Sequence, residues 1–173
     1  HIIPHLWLRN TWSWGDEGIA PHSISMIDDG QTLLTPALNT LESYELRCRE
    51  KGEFWFTENE TNTQSLYNQP LKQKFVKDAF HRFLINNEQD AINPNGTGSK
   101  AALHLHQHLD PGATWSVDLR LQKHDENACE DPFTDENFDQ IFRERENEWK
   151  DYLEWIAPKL SDDDRNIHAA AGA

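Results

Sequence analysis

The hydrophobic and polar positions of the first 125 residues form short alternating or apolar runs that are separated by turn signals. Such runs are typical of β-strands. The most regular alternation lies in residues 114–121, where Trp115, Val117, Leu119 and Leu121 alternate with polar residues. The other expected strands cover residues 1–9, 23–27, 31–35, 41–49, 54–57, 79–85 and 100–109. The pattern predicts a mainly β domain over residues 1–125, with its short antiparallel strands arranged as a β-sandwich.

Two connections between these runs carry expectations of their own. The turn at 51–53 contains Gly52 and joins two strand-like runs, which favours a β-hairpin. Residues 59–78 are polar and rich in Asn and Gln, and we expect a long loop there. Long loops inside compact domains are often functional, so this segment is a place to look for a site.

After Lys123 the apolar residues change to helical spacing. A helix is expected from about Glu136 to Ala157, with Thr134 or Asp135 as its N-cap and Pro158 after its end. A second helix is expected to begin at Ser161, where three aspartates would favour the positive helix end. Residues 126–173 are therefore predicted to be a helical segment that follows the β domain.

Charge and composition exclude several classes of protein. The formal net charge of −14 argues against nucleic-acid binding, which requires clustered Lys and Arg. The acidic runs of residues 125–165 are read as solvated helix faces. No apolar stretch has the ~18–20 residues of a membrane span, no signal peptide is visible, and the two cysteines show no framework spacing. We expect a cytoplasmic protein without a membrane partner.

The two ends of the chain suggest a fragment. The sequence has no initiator Met and begins directly in a strand-like run, and the second expected helix is short.

No nucleotide-binding glycine loop, nucleophile elbow or catalytic Cys/His pair is present, so no cofactor is expected.

Three alternating histidines are a candidate metal site. His104, His106 and His108 would lie on one face of a strand, and imidazoles can bind zinc. No second cluster supplies the remaining ligands, and a polar strand face explains the same pattern. The sequence therefore favours a polar strand face over a metal site.

Two segments are candidates for sugar binding. In the first, Arg9, Asn10, Trp12 and Trp14 combine hydrogen-bonding groups with aromatic rings that can stack on sugar rings. Core packing of the two tryptophans is the more favoured reading of this segment.

The second segment follows an aromatic strand and contains Glu58, Asn59, Glu60 and Asn62. Their carboxylates and amides could hold sugar hydroxyls, and a turn that satisfies its own backbone is an equally favoured alternative. Acid–base catalysis by these carboxylates is less favoured.

Four motifs in order resemble proteins similar to glycoside hydrolase family 63, which are described as mannosyl-oligosaccharide glucosidase-like. They are PHLWLRNTWSWG at 4–15, FTENETN at 56–62, VKDAFHR at 76–82, and NP at 93–94 followed by GSKAA at 98–102. The resemblance covers nearly the whole chain, and four ordered motifs are more specific than any one of them.

The resemblance implies an antiparallel β-sandwich of the supersandwich type, followed by linker helices that lead to an (α/α)6 barrel outside this chain. It also implies hydrolysis of α-linked glucosyl or mannosyl oligosaccharides by inversion, with the catalytic Asp and Glu in the barrel. The expected partners are the oligosaccharide and that barrel, and no residue of this chain is assigned as catalytic. A carbohydrate-binding module and a purely structural domain remain the alternatives.

Overall fold

The computed structural model describes residues 1–8, 23–27, 31–37, 42–125, 131–156 and 158–172. The chain divides into two compact units, residues 1–127 and 128–173. The first unit holds the sheets and two short helices, and the second holds two longer helices.

Eight strands and four helices are assigned in the described residues. The strands are β1 (His5–Trp7), β2 (Ile24–Ile27), β3 (Thr32–Leu34), β4 (Tyr44–Cys48), β5 (Glu53–Thr57), β6 (Thr97–Gly98), β7 (Lys100–His104) and β8 (Leu119–Lys123). The helices are α1 (Thr63–Tyr67), α2 (Ala79–Leu84), α3 (Asp135–Ile156) and α4 (Asp162–Gly172). None of the helices within the described ranges combines the length and apolarity that a bilayer span requires.

The strands form two antiparallel sheets. The smaller has the order β1-β7-β5, and the larger has the order β6-β2-β3-β4-β8. In the smaller sheet Ala102 of β7 lies between His5 of β1 and Trp55 of β5. In the larger sheet Leu46 of β4 pairs with both Leu33 and Leu121. The fold is therefore sheet-rich, and the expected mainly β character is confirmed.

Side chains of both sheets share their buried clusters. One cluster joins Ile24 and Leu33 of the larger sheet to Phe56 and Ala101 of the smaller sheet. A second joins Cys48 of β4 to Leu103 of β7 and Leu105 just after it. Full burial of a side chain such as Leu or Phe contributes roughly 1.5–3 kcal/mol, so these clusters stabilise the contact between the sheets. Burial also raises the pKa of the Cys48 thiol, to about 11.

The smaller sheet is covered on its other face by α2. Because side chains alternate along a strand, Trp55 and Ala102 point away from Phe56 and Ala101. They pack with Phe80 of α2, and Phe83 and Leu84 join the edge of this cluster. The Trp55 and Phe83 rings meet edge to face with centroids 5.0 Å apart. The helix is thus held by its apolar side against the sheet.

A buried carboxylate lies on the larger sheet. Glu45 is 1% exposed and accepts hydrogen bonds from Gln122 at 2.5 Å and from Arg47 at 3.2 Å, and His124 Nδ1 lies 2.8 Å from its Oε2. Burial alone would raise the pKa of Glu45, but the bonds with His124, Gln122 and Arg47 outweigh it and lower that pKa. Glu45 is consequently a charged, structurally embedded group.

The second unit consists of α3 and α4. Phe133 and Phe138 are buried at the start of α3, where the backbone N–H of Phe138 donates to the carbonyl of Thr134. Ser161 caps α4, since its Oγ accepts from the N–H of Asp164 at 3.2 Å and donates to the Asp164 carboxylate at 2.6 Å. The helix expected from the apolar spacing and the helix expected to begin at Ser161 are both confirmed.

Residues 79–84 form the helix α2, so the strand expected over 79–85 is wrong. Its apolar residues, Ala79, Phe80, Phe83 and Leu84, fall at spacings that fit one side of a helix as well as a short strand. Packing against Trp55 selects the helix. The loop expected over 59–78 is also interrupted, because Asn62 caps the short helix α1.

The hairpin expected around Gly52 is wrong, because β4 and β5 belong to different sheets. β5 pairs along its whole length with β7 instead. A Cβ on Gly52 would lie 2.6 Å from the carbonyl oxygen of His104, so the chain passes tightly against the end of β7 at this point. Gly52 thus lies where the chain crosses from one sheet to the other. A turn that contains glycine fits such a crossing as well as a hairpin, so the sequence does not distinguish the two.

The strand expected over 114–121 is only partly correct. The ladder with β4 begins at Leu119, and β8 extends beyond the predicted end to Lys123. Trp115 and Val117 instead pack at the edge of the cluster around Cys48 without belonging to a strand. Their alternation reflects burial of one side of the segment rather than ladder pairing.

Candidate functional site

The end of β5 meets the start of β7 through a carboxylate and a buried serine. Ser99 is fully buried, and its Oγ donates to Glu58 Oε2 at 2.5 Å. The N–H of Ser99 donates to the same oxygen at 3.1 Å, and Ser99 Oγ accepts from the N–H of Asn59 at 2.8 Å. Glu58 therefore acts in the structure as a hydrogen-bond acceptor for the neighbouring chain.

The same group of residues holds the chain just before the segment 9–15. The side-chain amide of Asn59 donates to the carbonyl of Leu8 at 3.0 Å, and the N–H of Leu8 donates to the carbonyl of Ser99 at 2.8 Å. Leu8 directly precedes Arg9, so Asn59 and Ser99 fix the point from which the first candidate segment starts. Arg9, Asn10, Trp12 and Trp14 themselves lie outside the described residues.

A close backbone approach accompanies these bonds. A Cβ built on Gly98 would lie 2.2 Å from the carbonyl oxygen of Thr57, which no real Cβ tolerates. Thr57 is fully buried, and its hydroxyl donates to the carbonyl of Val76 at 2.9 Å. Glycine at 98 is thus required by contact with the neighbouring backbone.

The four sequence motifs therefore meet in one place. Residues of 4–8, 56–62, 76–82 and 93–102 are joined by the bonds above, by a bond from the N–H of Asn93 to the carbonyl of Phe56 at 2.7 Å, and by one from the N–H of Lys77 to the carbonyl of Glu60 at 2.9 Å. We call this set of contacts the motif junction. Segments that are far apart in sequence supply its donors and acceptors, so none of them can form it alone.

Asn62 belongs to a neighbouring polar cleft. Its Oδ1 accepts from the N–H of Ser65 at 3.0 Å, and its Nδ2 donates to Asp78 Oδ2 at 2.8 Å. The cleft lies between α1 and α2, has a volume of about 430 Å³, and is lined by polar side chains together with Leu71. Ligand sites typically have volumes of ~300–1,000 Å³, so the cleft is large enough for a small ligand.

An ion pair forms part of the cleft. Arg82 of α2 donates to Glu88 Oε2 through Nε at 2.9 Å and through Nη2 at 2.6 Å. The hydrogen bond with Arg82 lowers the pKa of Glu88, and the same bond raises the pKa of Arg82. Both groups stay charged over the physiological range. Arg82 Nη1 lies 3.9 Å from Asp78 Oδ1, which is too long for a hydrogen bond.

The four predicted site residues that the structure describes occupy three kinds of position. Glu58 and Asn59 lie in the motif junction, Asn62 lines the cleft, and Glu60 contributes a backbone carbonyl to the junction. Asp78, Arg82 and Glu88 were missed as site residues. The helical spacing of 79–84 was the signal that could have placed Arg82 one turn after Asp78, beside α1.

The candidate metal site is not formed by the described residues, in which no group of three or more metal-ligating side chains occurs. His104 ends β7 and stacks on Trp55 with ring centroids 4.3 Å apart. His1 Nδ1 lies 2.8 Å from His104 Nε2, and the His1 ring also stacks on His106. His104 and His106 thus pack with neighbouring rings beside the sheet.

Comparison with known proteins gives one distant similarity. No family model matches the chain, and no solved structure matches it. The chain is similar to the uncharacterized protein YMR196W of Saccharomyces cerevisiae, with 26% identity over an alignment 201 positions long. The alignment covers 99% of this chain and 18% of the yeast protein. The chain thus spans less than a fifth of the length of this relative.

Proposed function

We propose that the chain is the non-catalytic β-sandwich portion of a glycoside hydrolase that cleaves α-linked glucosyl or mannosyl oligosaccharides with inversion. The observation that carries this proposal is the resemblance of four ordered motifs to proteins similar to glycoside hydrolase family 63. The motif junction supports it. A chance match of scattered motifs gives no reason for them to share hydrogen bonds, whereas a resemblance in fold does.

The sandwich arrangement is part of the proposal. Two antiparallel sheets bury side chains in common clusters, with Phe56 and Ala101 of one sheet against Ile24 and Leu33 of the other. Shared inner faces of this kind are the basis of a β-sandwich core. In the same proposal, α3 and α4 are linker helices that lead to an (α/α)6 catalytic barrel in a longer polypeptide.

Catalysis is assigned outside this chain. In an inverting glycosidase one carboxylic acid protonates the leaving oxygen while the other carboxylate activates a water. Glu58 is poorly suited to either role, because its Oε2 accepts two bonds from Ser99. These bonds hold the carboxylate against the neighbouring chain. The length of the yeast relative beyond the matched region is compatible with a further catalytic domain.

Within this proposal, the motif junction positions the segment that begins at Arg9. The side chains of Arg9, Asn10, Trp12 and Trp14 then complete the substrate pocket of the longer protein, while Glu58 and Asn59 act through the chain they hold. The competing function is purely structural support for the barrel. The hydrogen bonds of the motif junction also favour this alternative, because the side chains of Glu58 and Asn59 bond to other groups of the protein itself.

Steady-state turnover in the longer protein tests this assignment. We expect Glu58→Gln to raise KM or lower kcat for α-linked oligosaccharides, because it weakens the bonds that hold Ser99 and, through it, Leu8. Glu53→Gln is the matched control at the other end of β5, where the side chain is largely exposed. Equal turnover in both variants and the parent, together with unchanged turnover in Trp12→Ala, would favour structural support instead.

A further inference from the structure

The cleft between α1 and α2 has its polar side chains already fixed in place. Asn62 holds Asp78 through one amide hydrogen bond and caps α1 through its other atom. Glu88 is held by Arg82 and by a bond from Asn86 at 3.3 Å. Groups whose orientation is set before binding lose little conformational freedom on meeting a ligand. The cleft is therefore preorganised.

Two atoms that face each other in the cleft, Arg82 Nη1 and Asp78 Oδ1, do not form a hydrogen bond with each other. Within the part of the chain that the structure describes, Arg82 donates hydrogen bonds from Nε and Nη2, and its Nη1 has only the 3.9 Å contact with Asp78 Oδ1. Asp78 Oδ1 likewise has no hydrogen-bond partner among the described residues. A hydroxyl could accept from Arg82 and donate to Asp78. Because Asp78 Oδ1 is shielded from solvent, such a hydroxyl can bridge the two atoms only after the two side chains separate slightly.

The charges of the cleft define the class of ligand. Asp78 and Glu88 contribute two carboxylates against the single guanidinium of Arg82, and the chain as a whole carries a net charge of −14. An anion would be repelled by this surplus. A divalent cation has no adequate set of ligands among the described residues. A neutral molecule with several hydroxyl groups meets both the carboxylates and the guanidinium favourably.

We propose that the α1–α2 cleft, with Asn62, Asp78, Arg82 and Glu88 as its contact residues, binds a neutral, hydroxyl-rich sugar. The choice of an α-linked oligosaccharide among such ligands rests on the proposed function. The cleft is a binding subsite and carries out no chemistry. Leu71, at the wall of the cleft, offers apolar contact to the C–H groups of a sugar ring.

The test is an NMR titration of the 173-residue chain, labelled with ¹⁵N, using maltotriose and separately inorganic phosphate. We expect maltotriose to shift the amide signals of Asn62 and of residues 78–88 with a Kd in the millimolar range. Phosphate is expected to leave these signals unchanged. No shift with maltotriose, or an equal response to phosphate, would overturn the proposal.

Two variants assign the binding to the named side chains. Asp78→Asn keeps the shape of the side chain and removes the charge, and we expect it to weaken maltotriose binding about tenfold or more. Asp90→Asn is the matched control, because Asp90 is an exposed carboxylate that pairs only loosely with Lys74. If Asp78→Asn does not fold, Arg82→Lys provides the same test. Unchanged binding in the folded cleft variant would refute the assignment.

The titration also separates this inference from the proposed function. The same samples are assayed for released glucose. Glucose release by the chain alone would contradict catalysis outside the chain and would leave the binding result intact. Absence of maltotriose binding at the cleft would refute the proposed subsite. The proposed function would still be tested separately, by the turnover of the longer protein.

Discussion

Replacing Ser99 with Ala removes one hydroxyl from the centre of the motif junction. The change leaves the N–H of Asn59 without its acceptor, which lies at 2.8 Å, and takes from Glu58 the donor at 2.5 Å. Ser99 is fully buried, so water has no direct access to replace these bonds. The substitution removes few atoms, and its effect comes almost entirely from the two lost hydrogen bonds.

The size of the effect follows from these two bonds. A neutral hydrogen bond contributes roughly 0.5–1.5 kcal/mol, and one to a charged group contributes roughly 1.5–3 kcal/mol. Glu58 keeps its bond from the Ser99 N–H and is partly exposed, so the lower part of the second range applies. We expect Ser99→Ala to lower the free energy of unfolding of the first unit by about 2–3 kcal/mol.

Urea denaturation measures this change if it is followed through the NMR intensities of amides in β5 and β7, which report on the first unit alone. The matched control is Ser65→Ala, whose side chain is exposed on α1. This control should change the free energy of unfolding by no more than about 0.5 kcal/mol. A Ser99→Ala loss as small as that of the control would refute the view that the junction is stabilised by these bonds.

Two further substitutions test other contacts. Gly98→Ala should destabilise the first unit by about 3 kcal/mol or more, because the added Cβ would meet the Thr57 carbonyl. The control is Gly112→Ala, where the Cβ meets open space and only the positive φ of 83° is unfavourable, so the cost should be about 1 kcal/mol. Equal losses of stability in urea denaturation would contradict the close approach at Gly98. Glu45→Gln tests pH dependence. Since the folded-state pKa of Glu45 is lowered from 4.5, its stabilising contribution is full above that pH and is lost as pH falls through the folded pKa. Denaturation midpoints between neutral and acidic pH should therefore fall less in Glu45→Gln than in the parent, and parallel curves would contradict this.

The sequence predicted best where one periodicity dominated. The helical spacing of 136–157 and the cap at Ser161 placed α3 and α4 nearly to the residue, because a long run of spaced apolar positions has few alternatives. The short run 79–85 fits a strand or a helix equally well, and contact with Trp55 decided it. The partner of β5 likewise depended on packing rather than on the turn at Gly52.

The candidate site was only partly accessible to sequence reasoning for a related reason. Glu58 and Asn59 were identified by their residue types, yet those types do not say whether an oxygen faces a ligand or a neighbouring backbone. Ser99, forty positions away from Asn59, decides this, because its hydroxyl bonds to both residues and its N–H donates to Glu58. Asp78, Arg82 and Glu88 became visible only once α2 was known to be a helix beside Asn62.

The claim that this chain supports catalysis but does not perform it is tested most directly by one comparison of products. The 173-residue chain and the longer polypeptide proposed to contain it are incubated with α-linked glucosyl and mannosyl oligosaccharides, and the released sugar is followed by ¹H NMR. We expect the longer protein to release the β-anomer first, which marks inversion, and the chain alone to release no sugar. Hydrolysis by the chain alone, or first release of the α-anomer by the longer protein, would contradict the proposal.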